Sequence, residues 1–259
     1  QLLSVRPSSE VADWGGPNAV LNIGMNSEFL YLLNQALGQD AADTLYLRSV
    51  QAYAVHVEKL DPELFEFDNS MPTSEQLKAA LEAYVDETDE DFPQDVEVQL
   101  LQVLRSMARA WAGTTARLLR QAKGAPADAG LGLVVQAMAF GLGSGDYGTG
   151  VIQLVDNETG EPIIKGRFVR QSQGRETQVN ERNVIYLTKD ERGSSLEEEL
   201  PEVYEQPVAA AKLCRVKLRE EMEVKFTIED GKLHIIDAIR VPRSSRAALR
   251  IAVQLAEDD

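Results

Sequence analysis

The chain has 259 residues, 44% hydrophobic and 26% charged, which is ordinary globular composition and length enough for a sizeable core. A formal net charge of −16 excludes the dominant basic face that a nucleic-acid backbone requires, and no apolar run is long enough to span a bilayer, so neither partner is expected. A single cysteine, Cys214, excludes an internal disulfide and fits a reducing compartment.

The surplus of acid is read first as a solubilising surface, and a protein partner, if there is one, is expected to be basic. Gln1 to Val5 reads as a strand, followed by a loop broken by Pro7, Gly15, Gly16 and Pro17. Asn26-Ser27-Glu28 opens a helix that Gly38 stops. Leu45, Tyr46, Val50, Tyr53 and Val57 recur at helical spacing and predict a second helix over 40–60. His56 on that helix has no neighbouring Cys or His with which to build a metal site. Thr73 or Ser74 is expected to cap a short helix ending at Val85. The acidic run over 86–91 lacks the glycine and spacing of a calcium loop and reads as solvated connector. One long helix is predicted over 96–123, with Leu100, Leu101, Leu104, Met107, Ala108, Trp111 and Thr115 as its apolar face.

The middle of the chain predicts a β-meander. A first strand over 131–140 leads into GLGSGDYGTG, with five glycines in ten residues, then a strand over 151–155, the turn DNETG and a third strand over 163–169. So many glycines suit either a tight turn or a close approach to phosphate; without a Lys-Ser/Thr ending the loop is no P-loop, and the turn is the preferred reading. A polar loop over 170–182 and a short strand over 183–187 follow. A helix is expected from Pro201 to about residue 221, interrupted or re-entered at Pro207, with Cys214 packed rather than reactive. Glu223 to Ile228 and Lys232 to Ile239 form a hairpin about Glu229-Asp230-Gly231, and a helix over 244–256 closes the chain.

Taken in order, these segments resemble the N-terminal nucleotide-binding, or PEP/pyruvate-binding, region of the pyruvate phosphate dikinase and phosphoenolpyruvate synthase family. LLSVRPSS is similar to the family's LLVSVRSGA, AVLNIGMN to TVLNLGLND, and FPQDVEVQL to FPxDPxEQL. GLGLVVQAMAFG, GTGV and NETGE resemble GTAVNVQxMVFGN, GTGVAFTR and NPxTGE. KGRFVRQSQGRE resembles GEFLxNAQGED, and MEVKFTIEDGKLHIIDAIR resembles MQDIEFTIQDGKLWMLQTR. The resemblance covers nearly the whole chain.

It implies an α+β, ATP-grasp-like fold: an antiparallel sheet with flanking helices plus a helical subdomain. Residues 1–26 and 124–259 would form the sheet lobe and 27–123 the helical insertion. It implies ATP and Mg²⁺ as cofactors, held in a cleft between lobes, and a cytoplasmic location, with the plastid stroma as the alternative. The family's phosphohistidine motif and barrel sequences are absent from this segment. The first part of the nucleotide-binding region, where a phosphate-facing lysine is expected, is also absent.

Phosphoryl transfer needs donors on the phosphate oxygens and ligands for Mg²⁺, and the matched positions largely lack them. Arg6 keeps an arginine expected to face phosphate, but the loop's next arginine falls on Glu10. The arginine after GTGV falls on Val155, and the glutamate of GEFL on Arg167. The metal-binding glutamate of IEFT falls on Lys225, the glutamine of LQTR on Asp237, and its arginine on Ile239. A lysine about 4 Å from a metal ion opposes it by about 4 kcal/mol per unit charge at an effective dielectric of about 20, and isoleucine donates nothing. Glu223 and Asp237 remain as metal candidates, and Gln136 and Met138 as residues beside an adenine. A cross-strand Lys225–Asp237 pair is the alternative use of those two side chains. The expectation is a nucleotide-binding domain that has lost catalysis and regulates or binds a partner; the alternative is an active ATP-binding phosphotransferase domain completed by further domains.

Overall fold

A computed structural model describes residues 1–11, 14–68, 70–172 and 184–257. The expected polar loop over 170–182 therefore lies mostly outside the described residues. The fold is α+β, built from antiparallel sheets and helices, and divides into two units, Gln1–Met138 and Ala139–Asp259.

In the first unit, β1 (Leu3–Ser8) is the centre of a three-stranded antiparallel sheet. It is flanked by β2 (Val20–Ile23) and β3 (Gly132–Ala137). Helix α1 (Ser27–Leu37) begins as expected, with Asn26 Oδ1 accepting the Phe29 N–H at 2.8 Å, and ends at Gly38 with φ 87°. Helix α2 (Gln39–Tyr53) then widens into a single π turn over Ala54–Glu58. Helix α3 (Thr73–Thr88) runs past the expected end, and Pro72, not Thr73 or Ser74, precedes its first turn without a side-chain cap.

The single helix expected over 96–123 is two, α4 (Val96–Ala112) and α5 (Thr114–Ala122). The helix breaks at Gly113, whose φ of −57° and ψ of 142° are extended rather than helical. The apolar face is also rotated from the expected one. Gln99, Val103, Ser106, Met107 and Trp111 are buried, whereas Leu101 is 47% exposed. Gln99 is buried because its amide is fully used: Oε1 accepts the Gly24 N–H at 2.7 Å, and Nε2 donates to Met25 and Pro93 carbonyls at 2.8 and 2.6 Å. Edge-on rings of Tyr46, Tyr53, Tyr84 and Phe92 fill the space between α2, α3 and the start of α4.

In the second unit, β4 (Gly148–Val155), β5 (Pro162–Arg170), β6 (Val184–Tyr186), β7 (Met222–Glu229) and β8 (Lys232–Arg240) form one antiparallel sheet in the order β6-β5-β4-β7-β8. The short helix α6 (Leu196–Glu199) leads into α7 (Pro201–Leu218), which passes Pro207 without interruption. Val203, Val208 and Ala211 of α7 pack on Ile152, Phe168, Val224, Phe226 and Ile228, and Cys214 lies against the same core. The last helix, α8 (Ser245–Glu257), forms a second cluster in which Ala247 and Ile251 meet Val155 and Val241.

The expected meander is corrected by this pairing. The strand over 132–137 joins β1 in the first unit, while β4 and β5 pair in the second. The contacts therefore divide the chain near residue 138, where the sequence reading divided it at 26 and 124. The reason is that β1 finds its backbone partners in β2 and β3, which bracket the helices in sequence.

The DNETG turn is fixed by its own carboxylate. Asp156 Oδ1 accepts the Glu158 and Thr159 N–H groups at 3.0 and 2.9 Å, and Gly160 has φ 71°. These hydrogen bonds, first that from Thr159, hold the Asp156 carboxyl down at about 2. A depressed pKa contributes stability that is complete above the unfolded carboxylate value of 3.8 and is lost as pH falls through about 2. Acid titrations of unfolding are expected to show a shallower loss of stability below pH about 4 in Asp156→Asn than in the parent chain. Identical acid limbs would show that the turn does not depend on this charge.

Candidate functional site

The register of the second sheet gathers the substituted positions. Arg167 pairs with Val151, Val151 with Lys225, and Lys225 with Asp237, so the four lie in one row across β5, β4, β7 and β8. Residues directly opposite one another project from the same face of a sheet, with strands about 4.8 Å apart. Ile152, Phe168, Val224 and Phe226 take the other face, under α7. Side chains alternate along β7, so Glu223 emerges beside Lys225, and its partner Ile239 emerges with it. Arg167, Glu223, Lys225, Asp237 and Ile239 thus share one surface. His234, opposite Thr227, lies on it too, a residue the sequence reading did not connect with the others.

The charge on this surface is mixed. Lys225, Glu223 and Asp237 are half-buried and Arg167 is exposed; Ile239 is 37% exposed. Asp237 Oδ1 accepts its neighbour's N–H, from Ala238, at 3.0 Å. Lys225 faces Asp237 in the ladder, as the hairpin reading expected.

Val155 is only 1% exposed and serves the α8 cluster, so at this position the chain packs hydrocarbon. The described residues include no group of three or more His, Cys, Asp or Glu side chains suited to a metal ion. Glu223 and Asp237 supply two carboxylates, but the ladder partner of Asp237 is a cation. This surface does not fit magnesium: a six-coordinate oxygen shell with a lysine in the row is not a stable arrangement.

The other candidates lie in the first unit. Arg6 sits on β1 opposite Val134 and is half-buried; Glu10 is exposed in the loop beyond. Gln136 pairs with Ser4, whose hydroxyl donates to the Gln136 carbonyl at 3.4 Å. Met138 is engaged twice: its N–H donates to Leu2 O at 3.0 Å, and its Sδ accepts the Asn22 N–H at 3.0 Å. Asn22 holds a left-handed φ of 59°, and its Oδ1 is buried without a partner among the described residues. Packing therefore accounts for the backbone at Gln136 and for the sulfur of Met138.

The glycine-rich loop is used by the fold. A side-chain carbon at Gly141 would lie 1.8 Å from Ser172 O, and one at Gly143 would lie 2.6 Å from the Tyr147 ring. Gln171 Oε1 accepts the Gly143 N–H at 3.1 Å, and the Gly231 N–H of the β7–β8 turn donates to Asp146 O at 3.0 Å. Tight self-packing explains these glycines without a phosphate, in line with the turn reading.

No family model matches the chain. The chain is similar to pyruvate, phosphate dikinases along almost all of its length. It is 31% identical to that of Rhizobium meliloti (strain 1021) over 284 residues, covering 99% of this chain and 31% of the relative. It is 28% identical to that of Clostridium symbiosum, again over 99% of this chain and 31% of the relative. To the chloroplastic pyruvate, phosphate dikinase 1 of Oryza sativa subsp. japonica it is 26% identical, with 28% of that protein covered. The resemblance read from the ordered motifs therefore holds, and the chain spans about a third of the length of these relatives. Among the described residues, no helix is long and apolar enough to cross a membrane.

Proposed function

We propose that this chain is a dikinase-like, ATP-grasp-type nucleotide-binding domain whose magnesium site has been lost, and that it acts by binding or regulating a protein partner. One observation carries the reading: Lys225 stands in register with Asp237, on the same sheet surface as Arg167 and Ile239. Two cations and a hydrocarbon occupy a surface where phosphoryl transfer by the relatives' route would need ligands for a divalent ion. The described residues supply no such set, so no phosphoryl-transfer step is assigned to the chain. Its net charge of −16 favours a basic surface on the partner, and a cytoplasmic or stromal setting agrees with its single cysteine.

A second reading, an ATP-binding phosphotransferase domain completed by a further lobe or partner domains, draws on Arg6, Gln136 and Met138, which β1 and β3 hold in one small sheet. Magnesium dependence separates the two readings. If nucleotide stabilises the chain at all, the stabilisation is expected to be the same with magnesium as with a chelator.

A further inference from the structure

We propose that Met138 is a redox-sensitive latch: oxidation of its thioether by a peroxide releases β2 from the residue that ends β3, and reduction restores the contact. β2 carries an irregularity. Leu3 pairs with Ile23 but Val5 pairs with Val20, so β2 takes three steps where β1 takes two. Such a bulge leaves a residue outside the ladder. Asn22 lies in it, with the left-handed φ of 59° that asparagine tolerates better than most side chains. Its N–H donates not to the ladder but to Met138 Sδ at 3.0 Å, 116 residues away in sequence. Asn22 is buried, and it is a junction of hydrogen bonds. Its side-chain amide donates to Leu45 O at 3.4 Å, and its carbonyl accepts from Ser49 Oγ and the Met25 N–H, each at 3.1 Å. These bonds join β2 to α2, and the sulfur joins it to the end of β3. The Met138 N–H donates to Leu2 O at 3.0 Å, so its backbone is fixed beside β1 while its side chain reaches past β1 to β2.

A thioether accepts an N–H through a sulfur lone pair, and oxidation consumes one. The sulfur attacks one oxygen of hydrogen peroxide. An S–O bond forms, the O–O bond breaks, and the other oxygen leaves as water after a proton moves to it. Sulfur gives up two electrons and the peroxide takes them. Oxygen entering on the side of Asn22 finds no room between atoms 3.0 Å apart. Oxygen entering on the other side leaves a sulfur with partial positive charge facing the N–H. Either product loses the bond and leaves a buried donor unpaired. It also puts a polar sulfoxide where a thioether was packed. Met138 is half-buried, within reach of a molecule as small as peroxide, whereas Met25 and Met107 are buried and Met71 is exposed. Methionine sulfoxide is returned to the thioether by sulfoxide reductases, which makes the change reversible.

Thermal unfolding of the whole chain before and after hydrogen peroxide tests the latch, with the oxidised methionines located by mass spectrometry. Conversion of Met138 should lower the melting temperature by about 3–10 °C, and a methionine sulfoxide reductase with a thiol reductant should restore it. Met138→Leu should start near the lowered value, because leucine accepts no hydrogen bond, and should lose less than the parent on peroxide treatment. Met71→Leu, which changes an exposed methionine, should respond as the parent does. Hydrogen exchange at the Asn22 amide of the parent should speed by about tenfold or more on oxidation, a readout that survives if Met138→Leu fails to fold. Full conversion of Met138 with an unchanged melting temperature, or with an unchanged Asn22 amide, would overturn the proposal. So would a peroxide loss in Met138→Leu as large as the parent's, or a Met138 that stays reduced where Met71 is fully converted.

Discussion

Gly150→Ala is expected to destabilise the second unit by about 3 kcal/mol, near the upper end of ordinary overpacking. The added carbon would lie 2.4 Å from the Phe226 ring and 2.9 Å from Arg167 O, closer than any real contact. One neighbour is the backbone of β5, which pairs with β4 on that side, so it has little room to retreat. The other is a ring stacked on Phe168, with centroids 6.2 Å apart and planes 8° from parallel. Gly148 makes the matching space for Phe168, where an added carbon would lie 2.5 Å from the ring. The glycines of GTGV are therefore explained by two stacked phenylalanines under α7. Phe226→Ala alone should cost about 3–5 kcal/mol through the cavity it leaves. In the double variant the methyl enters that cavity, so the combined loss should fall short of the sum by about 1–3 kcal/mol. Urea denaturation of the four proteins measures the coupling, and strict additivity would show that Gly150 is not reserved for the ring.

Lys225→Glu is expected to create a divalent-cation response that the parent chain lacks. The substitution places a third carboxylate beside Glu223 and opposite Asp237 on one sheet surface. It also removes a repulsion of about 4 kcal/mol per unit of metal charge, for about 4 Å and an effective dielectric of about 20. At tenfold excess of metal over its dissociation constant, binding to the folded chain adds about 1.4 kcal/mol. For a unit of this size that corresponds to a rise of about 4 °C in melting temperature. The comparison is made with Mn²⁺ or Mg²⁺ against sodium at equal ionic strength, with EDTA reversing the shift. An equal response in the parent chain would mean that Lys225 does not keep cations away. No response in the variant would mean that the carboxylates do not converge.

Much of this surface was legible in the sequence. Glu223, Val224, Lys225 and Phe226 alternate polar and apolar, so a strand with Glu223 and Lys225 on one side followed from the pattern alone. The turn at Asp230-Gly231 by itself sets Lys225 against Ile236; a register shift between Lys225 and Phe226 moves the partner to Asp237, and the turn residues do not record it. The row through Val151 to Arg167 was not legible, because the pairing of β4 with β7 joins segments far apart in sequence. For the same reason the run over 131–140 looked continuous with the strands after it, while its backbone partner is β1. In α4 the leucines misled: Gln99 takes the buried position because three backbone groups need its amide, a demand that periodicity does not record.

The proposed loss of magnesium binding is tested most directly by thermal unfolding of the unmodified chain against ATP, once with magnesium and once with EDTA. The predicted result is that any rise in melting temperature is the same in both series. A rise at micromolar ATP that appears with magnesium and vanishes with EDTA would contradict it.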